Sequence, residues 1–153
     1  MGVIICDTRQ KPSKTKYIQD QLEDLGFTIL RSKMLVGDYQ VANKGDVVVD
    51  TKQDMHEVES NLVHDHERFR NECKLAQEAG IQLYILIQDP RLKRVEDVFS
   101  WYNVRQRWSP RAATGRQLAK MMLSMHEKYG VKWRFCTKSE CGKTILDLLG
   151  VNE

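Results

Sequence analysis

The sequence lacks any apolar run approaching the roughly 20 residues that span a bilayer. Its opening stretch, MGVIICDTRQ, is too short as an apolar segment for a secretory signal, and Asp7 interrupts it. Met1-Gly2 does not complete a myristoylation motif, because Cys6 stands where Ser or Thr is required. The 4 cysteines, at 6, 73, 136 and 141, form no CxxC pair, which excludes a zinc ribbon. Cys6, Cys73 and Cys141 fall on apolar faces and read as reduced, buried thiols. Gly142-Lys143-Thr144 lacks the upstream glycine of a phosphate-binding loop, since Thr137 occupies that position. His64 and His66 are spaced i,i+2 on a helix and point apart, so they make no metal pair. No Ser-His-Asp grouping has a nucleophile-elbow context. No repeat, low-complexity tract or linker interrupts the chain. A disordered chain, a collagen-like fibre and a disulfide-dense toxin are excluded by 41% hydrophobic and 29% charged residues.

What remains is the size and composition of one globular domain, expected over residues 1–153. The expected compartment is the cytoplasm of a prokaryote or of a virus's host, or the nucleus of a eukaryote, without membrane association. Charge is distributed unevenly. Residues 1–90 carry 11 Lys/Arg against 15 Asp/Glu, and residues 91–138 carry 12 against 3. An acidic cluster suits a divalent metal, and a basic segment suits a polyanion.

Periodicity predicts alternating strands and helices. Val3 to Cys6 reads as a buried strand, and Pro12 opens a helix with Ile18, Leu22 and Leu25 on one face. Phe27 to Arg31 is a second strand. Val36 to Val41 and Val47 to Lys52 form a hairpin across the turn at Asn43-Lys44-Gly45-Asp46. One long helix with Met55, Val58, Leu62, Phe69, Cys73 and Ala76 on its apolar face runs to Gly80. Leu83 to Ile87 is a buried strand, and 91–112 is irregular. Leu118 to Tyr129 marks a helix, Val131 to Phe135 a strand, and Ser139 caps a last helix. The expected fold is α/β, a single domain with a mixed central sheet and helices on both faces.

The chemistry-bearing pattern lies on the hairpin. Asp38 and Asp50 converge at one end of it, and Lys52, two residues on, shares the face of Asp50. Two carboxylates and a lysine on one rigid sheet suit phosphodiester hydrolysis. The carboxylates, with a strand carbonyl such as that of Thr51, are expected to hold Mg²⁺ or Mn²⁺, and Asp7 or Glu23 to support a second ion. The lysine positions water or stabilises charge on the phosphorane. In the basic segment, Trp101, Tyr102, Arg105, Arg107, Trp108, Arg111 and Arg116 combine cations with flat rings. Two readings stay open there: rings stacking on unpaired bases, or tryptophans plugging the core while arginines stay solvated.

Along most of its length the chain resembles the nuclease domain of the XPF-type structure-specific endonucleases, in the PD-(D/E)xK restriction-endonuclease-like superfamily. The resemblance is carried by Asp7-Thr8-Arg9, Leu35-Val36-Gly37-Asp38-Tyr39, Asp50-Thr51-Lys52, Arg68-Phe69 and the closing Trp133 to Ser139 segment. It implies a metal-dependent endodeoxyribonuclease acting on flapped, splayed or branched DNA in repair, recombination or replication. It implies Asp38 and Asp50 as metal ligands, Lys52 as catalytic lysine, Asp7 as an accessory acid, Arg9 beside the scissile phosphate and Arg68 on DNA. Pairing with a second copy or another subunit is a further implication. The sequence departs from the family pattern at Gln10, Asp50 and Thr51, where the family has Glu, Glu and Arg, and at His56, where it has an acid. No helix-hairpin-helix module follows the domain within these residues. Two other readings share the fold: an inactive DNA-binding scaffold and a sequence-specific restriction-type enzyme.

Overall fold

The computed structural model describes residues 2–151. Six strands form one mixed sheet in the order β2-β1-β3-β4-β5-β6. They are β1 (Val3–Cys6), β2 (Thr28–Arg31), β3 (Tyr39–Val41), β4 (Lys44–Lys52), β5 (Gln82–Gln88) and β6 (Lys132–Cys136). The helices are α1 (Pro12–Asp24), α2 (Met55–Glu59), α3 (His66–Glu78), α4 (Val95–Val98), α5 (Gly115–Tyr129) and α6 (Cys141–Leu149). β3 runs antiparallel to both β1 and β4, while β1–β2, β4–β5 and β5–β6 are parallel.

The sheet is covered on both faces, as expected. On one face Ile18 and Leu22 of α1 and Ile145, Leu146 and Leu149 of α6 pack against Ile4, Val49 and Leu86. On the other, Phe69, Cys73 and Ala76 of α3 and Leu118 and Met122 of α5 pack against Val48, Ile85 and Ile87. β5 therefore contributes apolar side chains to both cores, the reason its sequence is an unbroken apolar run. All four cysteines are free thiols, with Cys6, Cys73 and Cys141 buried.

Local signals set the element ends. Pro12 occupies the first turn of α1, where its missing N–H costs nothing. Thr114 and Gln117 form a capping box at the start of α5, and Gly130 closes that helix in the left-handed region at φ 73°.

Three expectations are corrected. The long helix expected from Met55 to Gly80 is broken: α2 passes into a π-helical turn at Ser60–His64 before α3 begins. Asp65 N donates to Ser60 O at 2.9 Å, closing the wider turn. The break falls where the apolar stripe is empty, since Asp65 and His66 offer nothing to bury. The segment 91–112 is more ordered than expected, holding α4 and a 3₁₀ turn at Val104–Arg107. Ser139 does not cap α6; it lies within the 3₁₀ turn Lys138–Glu140, and Glu140 takes the cap position.

Candidate active site

Three neighbouring strands bring the acids together. Asp7 follows β1, Asp38 precedes β3 and Asp50 lies near the end of β4. Backbone pairing continues beyond the regular ladder: Asp7 N donates to Asp38 O at 2.9 Å, and Asp38 N to Val49 O at 3.0 Å. Gly37 makes the approach possible. Its φ is +71°, and a Cβ there would collide with the Val48 side chain. The Gly-Asp-Tyr run is thus a backbone requirement as well as a source of a carboxylate, and Tyr39 is wholly buried beneath it.

Asp38 Oδ2 accepts from Thr51 N at 2.8 Å and from Thr51 Oγ1 at 3.0 Å. Lys52 Nζ lies 2.8 Å from Asp50 Oδ2, with side-chain exposures of only 12% and 9%. Asp50 Oδ2 has no directed hydrogen bond of its own. Burial, then the charge of Asp50, push the Asp38 carboxyl well above its ordinary range, against the pull of the Thr51 amide. Burial alone would lower Lys52, but the charge and hydrogen bond of Asp50, with the charges of Asp38 and Glu57, together outweigh it and hold the ammonium above its usual value.

The expected trio, Asp38, Asp50 and Lys52, is therefore assembled. Asp7 sits beside it, buried, with both oxygens engaged. Its Oδ1 accepts from Met34 N at 2.9 Å and its Oδ2 from Arg9 Nε at 2.7 Å. Arg9 also donates to Met34 O at 2.8 Å, so the acid orients an arginine that reaches solvent. These residues line one open cavity of about 670 Å³, together with Arg68 at the start of α3.

Two further acids border the cavity, Glu72, which escaped the sequence reading, and Glu57, beside the departure at His56. Glu72 Oε1 accepts from Gly37 N at 3.3 Å, and Glu57 lies on α2. Burial raises both carboxyls; the charge of Asp50 then adds to the rise of Glu72. Glu72 falls four residues after Arg68, one turn on along the same helix face, so the arginine that the resemblance singled out was a signal for this acid too. Glu23, expected as a possible second support, is exposed near the far end of α1.

The basic segment is divided by the fold. Trp101 is 8% exposed and belongs to the core, whereas Trp108 is 70% exposed. The core reading thus holds for Trp101, while the Trp108 ring lies open to solvent. Arg105 differs from its neighbours: NH1 sits 2.9 Å from Oε1 of the buried Glu59. Arg107 lies over the Tyr102 ring at 5.9 Å, and Arg111 and Arg116 are exposed. None of these lines the acidic cavity.

Among the described residues, no group of three or more His, Cys, Asp or Glu side chains is arranged to close on a metal ion. The carboxylate pair is what the site offers. No helix of the described residues is long and apolar enough to cross a membrane.

No family model matches the sequence, and no curated protein matches it. Solved structures do. XPF from Aeropyrum pernix superposes with a TM-score of 0.65 at 17% identity, over 96% of this chain and 63% of that one. The same protein in complex with DNA gives 0.69 at 16% identity, over 99% and 64%. The chain has the XPF fold. Its six-stranded mixed sheet with helices on both faces is the arrangement expected from the sequence. The chain spans less than two thirds of the length of the XPF proteins it matches.

Proposed function

We propose that the protein is a divalent-metal-dependent DNA endonuclease, acting on flapped, splayed or branched DNA. The observation that carries this reading is the convergence of Asp38 and Asp50 on a rigid hairpin with Lys52 held at 2.8 Å from Asp50. Support for DNA as the substrate comes from the XPF fold, which has been solved with DNA in another protein.

The donor set fits a hard cation. Two carboxylates crowd together, and burial and the charge of Asp50 raise the Asp38 carboxyl, a disfavoured negative charge that a bound cation would offset. Asp38, Asp50 and the Thr51 carbonyl are the residues proposed to hold Mg²⁺ or Mn²⁺. Such an ion, when bound, polarises the phosphate and lowers the pKa of a water.

The chain's own groups supply the rest. Lys52 stays protonated beside Asp50, so it acts as a fixed positive charge for the oxygens of the phosphorane and not as a base. Thr51 holds Asp38 in place through two donors. Asp7 aims Arg9 across the mouth of the cavity, where the guanidinium engages a phosphate neighbouring the scissile bond. Arg68 extends that contact from α3. Arg107, Arg111, Arg116 and Trp108 add phosphate neutralisation and one stacking ring on a separate surface.

The test is cleavage of labelled flap, splayed-arm, duplex and single-stranded DNA with Mg²⁺, Mn²⁺ or EDTA. Metal-dependent cutting that Asp50→Asn and Lys52→Ala both abolish is the expected result. Salt-sensitive binding without cutting of any substrate would favour the scaffold reading instead.

A further inference from the structure

The acidic cavity continues into a second groove of about 390 Å³, lined by Ser13, Lys14, Tyr17, Gln53, Gln88 and Lys138. Lys14, Tyr17, Gln53 and Gln88 line both spaces, so they are contiguous. The groove crosses the carboxyl ends of the parallel strands. β4 ends at Lys52, β5 at Gln88 and β6 at Cys136, with Gln88 and Cys136 paired in register. This is the edge at which parallel α/β sheets place ligands.

The charge balance differs between the two spaces. Asp7, Asp38, Asp50, Glu57 and Glu72 line the first, matched by Arg9, Lys11, Lys14, Lys52 and Arg68. No carboxylate lines the second, where Lys14 and Lys138 are the charged groups. Lys138 Nζ sits 4.6 Å from the centre of the Tyr17 ring, which fixes its cation on the groove wall. Tyr17 Oη in turn donates to Gln88 Oε1 at 2.6 Å. Gln88 is only 8% exposed, and its Nε2 has no protein acceptor among the described residues. A largely buried side-chain amide with a free donor, flanked by two lysines, has the chemistry that phosphate oxygens require.

We infer that this groove carries the sugar-phosphate backbone of one DNA strand away from the cleavage centre, with Lys14 and Lys138 neutralising phosphates and Gln88 Nε2 donating to one. The inference rests on the nuclease reading for the direction of the strand. Its test is a binding measurement that needs no cleavage.

Fluorescence anisotropy of a labelled splayed-arm DNA is followed in EDTA across a salt series. Lys14→Gln combined with Lys138→Gln is compared with the unaltered protein. Lys44→Gln with Lys128→Gln removes the same charge elsewhere: Lys44 opens β4 at the end opposite Lys52, and Lys128 lies in the last turn of α5. The groove pair should weaken binding about 50-fold near 0.1 M salt and make the salt dependence shallower by about 2 ions. The control pair should change either quantity only slightly. Equal losses in both pairs, or an unchanged slope in the groove pair, would overturn the proposal. Groove-dependent binding without metal-dependent cutting would sink the nuclease reading and leave the groove standing. Cutting with no groove effect would do the reverse.

Discussion

Lys52 and Asp50 form an ion pair of 2.8 Å on adjacent-but-one positions of β4, both largely withdrawn from solvent. Strand geometry explains it: residues two apart project from the same face. The pair balances only part of the local charge, because Asp38 and Glu72 also border the cavity. Lys52→Ala is expected to lower cleavage about 10³-fold, by removing the charge that meets the phosphorane. It should also cost about 2 kcal/mol of stability, because Asp50 is left buried beside a second acid. Chemical denaturation alongside the gel assay separates the two effects.

Asp38→Asn should abolish metal-dependent cleavage yet stabilise the metal-free protein. The carboxyl is raised from an ordinary value of 3.8, so the folded chain holds its proton more tightly than the unfolded chain. That contribution is complete below the ordinary value and is lost as pH rises through the raised one. Asparagine preserves an acceptor for Thr51 without carrying the charge. In EDTA at neutral pH the variant should gain about 1–2 kcal/mol, and the gain should vanish below pH 3.8, as read by melting curves across pH.

Asn103 ties the basic segment to α2. Its Nδ2 donates to Glu59 Oε2 and to Ala113 O, each at 2.8 Å, and its Oδ1 accepts from Arg105 N at 3.1 Å. Both Nδ2 bonds are buried, and α5 closes against them: Gly115 packs so tightly on Val98 O and Trp101 O that a Cβ would clash. Asn103→Ala should cost about 2–3 kcal/mol and leave Glu59 Oε2 and Ala113 O without their donor, with Arg105 still facing Oε1. Limited trypsin digestion should then cut after Arg105, Arg107 or Arg111 faster than in the unaltered protein.

Trp108→Ala is expected to leave stability within about 0.5 kcal/mol, since the ring is 70% exposed. Affinity for single-stranded or splayed-arm DNA should fall by about 1–3 kcal/mol if the ring stacks on a base, with duplex binding little changed. Anisotropy titrations of the three substrates read this directly. Equal weakening on duplex DNA would contradict base stacking.

Local sequence pattern places strands and helices wherever periodicity and caps agree. The apolar run of β5, the Pro12 start of α1 and the Gly130 end of α5 are set within a few neighbouring residues. The same pattern also determined that Asp38, Asp50 and Lys52 share one end of a hairpin, because pairing and two-residue alternation need no distant partner. Contacts between elements far apart in the chain lay beyond such local rules. Packing of α3 onto the sheet is what brings Glu72 to the Gly37 amide. Tertiary packing also divided Trp101 from Trp108, because burial depends on whether α2 and α5 close over a ring, not on its neighbours in sequence. Arg105 met Glu59, 46 positions earlier, for the same reason. The groove beside Lys138 exists because three parallel strands end together beneath α1, a juxtaposition that no single segment encodes.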